Sequence, residues 1–143
     1  LFFVLRQSLT MLPRLECSGV ASAHCDLPCG VYDPAQARIE AESVKAIIAK
    51  VADKPGDEDF KMRATIIKEQ RSQLVKEHLW VLWTDYFKPP HFEKYPQLHT
   101  LVNEATKLAG ASGTKGEWDI AKADELLGKI DEIARIFAET KQA

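Results

Sequence analysis

The chain has 143 residues, 45% of them hydrophobic and 28% charged, with a formal net charge of −2. This fits one soluble globular domain that can bury a core without covalent staples. It offers no basic face for nucleic acid or an anionic membrane, and no apolar run reaches the roughly 18 residues of a membrane-spanning helix.

The chain opens on Leu1, and Met11 is its first candidate initiator, so it reads as a fragment or as starting upstream of the natural start. Residues 1–10 suggest no role. Residues 11–23, MLPRLECSGVASA, end in Ala21-Ser22-Ala23, a small-x-small cleavage pattern directly before His24. Arg14 and Glu16 break the apolar stretch that a secretory signal needs, so the segment reads as a propeptide and the destination as cytoplasmic. LFFVLRQSLTMLPRLECSGVASAHC is also similar to a translated Alu-type repeat, and no fold argument rests on it.

Asp33-Pro34 predicts a helix start, with Asp as N-cap and Pro at the first helical position. The helix should run to about Asp53, with Ala37, Ala41, Val44, Ile48 and Val51 on one stripe and Glu40 beside it. Lys54-Pro55-Gly56 ends it. A second helix is expected from about Glu58 to Phe87, with Ile67, Leu74, Val81 and Leu82 at helical spacing. Arg71 and His78 share that stripe, which is unusual for a plain core face. Lys88-Pro89-Pro90 stops the helix, and HFEKY reads as a loop.

Pro96 opens a third helix through Leu98, Leu101, Val102, Ala105 and Leu108, closed by Gly110. ASGTKGE reads as a flexible connection, in which Thr114 and Glu117 have capping-box spacing. The last helix carries Ile120, Ala123, Leu127, Ile130, Ala134 and Phe137. Four amphipathic helices without an alternating strand pattern predict an all-α, antiparallel four-helix bundle. An eleven-residue hook, HCDLPCGVYDP at 24–34, precedes it.

Three cysteines, Cys17, Cys25 and Cys29, make no disulfide framework. Spacing leaves Cys25 and Cys29 open as a metal site, a reactive thiol pair, or half of a zinc site completed elsewhere. No second Cys or His pair exists to close a four-ligand zinc site. If cleavage frees the amine of His24, the hook offers two nitrogen and two sulfur donors in a plane plus an imidazole. Planar coordination of that kind suits Ni(II) or Cu(II). Without cleavage His24 is a loop histidine. Taken alone, Glu40 and Arg71 are ordinary helix charges, although Glu40 borders an apolar stripe near the hook. His78, His91 and His99 read as surface or packing residues, and Trp80 and Trp83 as core or subunit contacts.

HCDLPCGVYDPAQARIEAESVKAI, RATIIKEQR and LWTDYFKPPHFEKYPQLHTLVNEA resemble nickel-dependent superoxide dismutase across residues 24–143. The resemblance implies a leader, residues 1–23, removed by a processing protease, and an enzyme domain, residues 24–143. It implies one nickel per subunit, superoxide as substrate and a homohexamer. His24 would ligate nickel through its amine and imidazole, Cys25 through thiolate and amide nitrogen, and Cys29 through thiolate. Pro28 would shape the turn, and Asp26 and Tyr32 would line the substrate's approach and act there. Glu40 and Arg71 would orient the imidazole, and Tyr86 and Lys88 would lie near the site in the assembly. Arg71 matches through RATIIKEQR, after one extra residue in KPGDED. The alternatives are a non-enzymatic metal-binding or interaction module, if the leader stays attached, and a thiol oxidoreductase. The second lacks both the two-residue cysteine spacing and the sheet expected of it.

Overall fold

A computed structural model describes residues 32–142, all of whose regular elements are helical. Asp33 Oδ1 accepts the Ala35 amide at 2.8 Å, and helix α1 (Ala35–Ala52) starts there. A β-turn follows, in which the Asp57 amide donates to the Lys54 carbonyl at 3.3 Å. Pro55 and Gly56 sit at its centre, and Gly56 takes φ +90°, where glycine has no Cβ penalty. Asp57 then caps α2 (Glu58–Val81) by accepting the Phe60 amide at 2.9 Å.

Helix α2 widens into a π-helical turn, Leu82–Tyr86, closed by the Phe87 amide on the Leu82 carbonyl five residues back at 3.0 Å. Lys88, with Pro89 behind it, is forced extended at φ −114° and ψ 165°. The two prolines then open a short helix, α3 (Pro89–Lys94), where HFEKY alone suggested a loop. Proline suits a first turn because the amide it lacks would be unpaired there anyway. Helices α4 (Leu98–Leu108) and α5 (Ile120–Lys141) complete the chain.

Helix α1 packs on α2 and α5, and α4 packs on α5 and α2. Arg38 pairs with Asp131 and Lys45 with Asp124, so α1 advances as α5 recedes. Tyr95 meets Glu139 and Glu104 meets Lys129, so α4 is likewise antiparallel to α5. The four long helices form the expected bundle. Its core is Val75, Leu79, Leu82, Leu98, Val102, Leu126, Ile130, Ile133 and Ile136, closed against α1 by Ala37 and Ala41.

Two expectations change. The buried stripe of α2 departs from the expected one except at Leu82, which is buried as expected: Lys68 and Val75 face inward in place of their neighbours Ile67 and Leu74, and Ile67 is 43% exposed. Lys68 can be inside because its Nζ donates to the carbonyls of Thr114, Lys115 and Glu117 at 2.7, 2.8 and 2.8 Å. The ammonium also lies 4.5 Å from the Trp118 ring centroid. Burial pushes this lysine below its ordinary range.

The connection 109–119 is therefore held rather than loose. Thr114 is buried, its amide on the Leu108 carbonyl at 2.7 Å and its Oγ1 3.1 Å from Ser72 Oγ. Gly113 lies so close to Leu108 that a Cβ would fall 1.9 Å from the Leu108 oxygen. Thr114 thus does not cap α5; Asp119 does, accepting the Ala121 amide at 2.9 Å.

Candidate active site

Tyr32, Glu40, Arg71, Tyr86 and Lys88 lie within the described residues; His24, Cys25, Asp26, Pro28 and Cys29 lie outside them. Glu40, in the second turn of α1, is 3% exposed. The antiparallel pairing of α1 and α2 sets Arg71 opposite it, and Arg71 Nη1 donates to Glu40 Oε2 at 2.9 Å. Gln36, one turn earlier on α1, donates from Nε2 to Glu40 Oε1 at 2.9 Å. Each carboxylate oxygen therefore has a partner, and the carboxylate plane is fixed. Sequence reasoning paired Glu40 with Arg71 through the resemblance. It missed Gln36, whose only signal is its spacing of four from Glu40.

A second group gathers where Tyr32 meets the bundle. The π-helical turn presents Tyr86, whose ring centroid lies 5.6 Å from Tyr32 and 4.5 Å from Phe137. His91 stacks on Tyr86 at 5.7 Å with 23° between planes. Its Nδ1 accepts the Lys88 amide at 3.1 Å, which fixes the ring. Tyr86 Oη lies 2.8 Å from Thr140 Oγ1, and Lys141 Nζ donates to the Tyr32 carbonyl at 3.3 Å. Lys88 is exposed two residues after Tyr86.

Nearby, the Tyr95 hydroxyl donates to Glu139 at 2.6 Å, and this bond holds that carboxyl below the ordinary range. Trp83 Nε1 donates to His99 Nδ1 at 3.0 Å, and His99 stacks on Phe92 at 4.0 Å. His91 and His99 are thus packing residues, and Trp80 and Trp83 stand 39% and 37% exposed, outside the core.

Among the described residues no three His, Cys, Asp or Glu side chains gather as metal ligands. What this end of the bundle provides is an oriented, buried carboxylate and a fixed aromatic cluster. That arrangement suits the support of a centre whose ligands come from another part of the chain.

The described residues thus form an all-helical bundle, and a histidine and two cysteines precede it in the sequence. The chain matches the family of nickel-containing superoxide dismutases over residues 19–141. It is 62% identical over 134 residues to the nickel superoxide dismutase of Streptomyces seoulensis, covering 93% of this chain and all of that one. The enzyme of Streptomyces coelicolor is 60% identical over 136 residues, at 93% and 100% coverage. A crystal structure of nickel-containing superoxide dismutase, its ligation corresponding to the oxidised state, superposes with a TM-score of 0.79 at 63% identity. That match covers 84% of this chain and all of the other. The chain belongs to the nickel-containing superoxide dismutase family.

Proposed function

We propose that the chain disproportionates superoxide to dioxygen and hydrogen peroxide at one nickel ion, held by His24, Cys25 and Cys29 after a protease removes residues 1–23. The observation that carries this reading is the family match spanning both HCDLPC at 24–29 and the Glu40–Arg71 pair. The donor set fits the metal: two thiolates, an imidazole, an amine and an amide nitrogen would suit a soft divalent ion such as nickel. When bound, nickel supplies the one-electron cycling, and the thiolates bring its couple into range.

The remaining work falls to the protein. Glu40, with both oxygens already engaged, is a rigid acceptor for the imidazole of His24, as partners outside the ligand set usually are for metal-bound histidines. Pro28 shapes the turn between the cysteines. Asp26 and Tyr32 line the substrate's approach, with Tyr86 beside Tyr32. The ammonium of Lys88 draws the small anion inward. Thiolates next to superoxide are prone to oxidation, so a closely packed aromatic entrance also protects the ligands.

The protein acts as a homohexamer in the cytoplasm. Support for assembly comes from Met62, Ile66, Ile67, Trp80 and Trp83 on α2 and its π-helical turn, which are 63%, 55%, 43%, 39% and 37% exposed. Large apolar side chains exposed on one element suit a contact surface. No helix among the described residues is long and apolar enough to cross a membrane.

Co-expression with the processing protease, followed by intact mass, metal analysis and a superoxide assay, tests the proposal. The expected product begins at His24, carries one nickel and dismutates; chelation abolishes activity and nickel restores it. A nickel-loaded chain starting at His24 that leaves superoxide untouched refutes it.

A further inference from the structure

We propose that Thr140, in the last turn of α5, is a positioning residue for this reaction: it accepts the hydrogen bond of the Tyr86 hydroxyl, leaving Tyr32 as the proton-donating phenol of the pair. The inference rests on the dismutase reading above and extends it to a residue outside the expected site. Its basis is the proton count at one oxygen. Thr140 Oγ1 lies 2.7 Å from the Phe137 carbonyl and 2.8 Å from Tyr86 Oη. A threonine hydroxyl has one proton, and a carbonyl can only accept. With the Thr140 proton on the Phe137 carbonyl, Oγ1 faces Tyr86 with lone pairs. In that arrangement Tyr86 supplies the proton of the second bond, and its oxygen presents only lone pairs to everything else.

The packing keeps this polarity in place. Tyr86 is bounded by Phe137 at 4.5 Å, by Phe87 at 5.1 Å and by the stacked ring of His91. Swinging away from Thr140 would cost those contacts together. The next residue, Lys141, donates to the carbonyl of Tyr32, whose ring lies 5.6 Å from that of Tyr86. One turn of α5 thus sets the backbone of one tyrosine and the hydroxyl of the other. Reducing superoxide to hydrogen peroxide consumes one electron, taken from a second superoxide, and two protons. A phenol whose hydrogen is already bound is poorly placed to deliver one, whereas Tyr86 can accept a hydrogen bond and so align a donor beside it.

The test uses processed, nickel-loaded enzyme with Thr140→Val, Thr140→Ser and Tyr86→Phe. Ultraviolet resonance Raman bands of tyrosine separate a donating from an accepting phenol, and Tyr86→Phe identifies the contribution of Tyr86. In the unaltered enzyme Tyr86 should show the donor signature. Thr140→Val should remove it, and Thr140→Ser should restore it. Activity per nickel should fall about two- to tenfold in Thr140→Val, the range one hydrogen bond commands, and Thr140→Val should add nothing in a Tyr86→Phe background. An accepting Tyr86 in the unaltered enzyme, or an unchanged signature or turnover in Thr140→Val, overturns the proposal. Should a Thr140 variant fail to fold, the Tyr86 signature in the unaltered enzyme decides alone. If the unaltered, loaded enzyme shows no dismutation, the functional reading fails, and the Raman comparison reports on the hydroxyl separately.

Discussion

A carboxylate as buried as Glu40 is tolerable because Gln36 and Arg71 each bond one of its oxygens. The head of Arg71 is about half exposed, so solvent screens much of the charge attraction. The cost of removing it comes chiefly from the hydrogen bond left unmade. Arg71→Ala should therefore destabilise the fold by about 1–3 kcal/mol, with Arg71→Lys recovering part; urea unfolding of both variants measures this. Glu40 was singled out by the family resemblance and by its place beside an apolar stripe near the hook; taken alone it reads as an ordinary helix charge. Gln36 was not, since a glutamine in a first helical turn is ordinary. Thr140 was invisible for a similar reason: its role arises from a contact with a residue 54 positions away.

At the level of elements, Lys68 couples α2 to the connection before α5. Its pKa is lowered by burial, so the unfolded chain keeps the proton at pH values where folded Lys68 has released it. The unfolded state then binds more protons, and stability from this group rises with pH between the lowered folded value and about 10.4. Denaturant unfolding of the unaltered protein and Lys68→Met, from neutral pH to above that value, should show the upward slope only in the former. An identical slope in both would contradict this account. The four long helices were readable from their caps and stops: Asp-Pro, Pro-Gly, Pro-Pro and Gly110. The register of α2 was not. Periodicity registers apolar residues whichever surface they face, and Ile66 and Ile67 face outward while Lys68 and Ser72 are satisfied inside. Short α3 and the π-helical turn escaped because neither is long enough to show a period.

On the scale of the whole molecule, the outward apolar residues of α2 carry the assembly prediction. Replacing Ile66 and Ile67 together by lysine should lower the mass measured by light scattering to below that of the unaltered protein while leaving helix content unchanged. A variant of unchanged mass would move the contact surface elsewhere. The hook itself could be read only as chemistry. Thiols, an imidazole and a cleavable amine name a kind of metal site, whereas their positioning depends on tertiary partners that local sequence does not encode.

The bond from Lys141 to the Tyr32 carbonyl brings the two extremities of the described chain together. If Tyr32 and Tyr86 line the substrate's approach as proposed, an affinity handle fused just past Lys141 would crowd that approach.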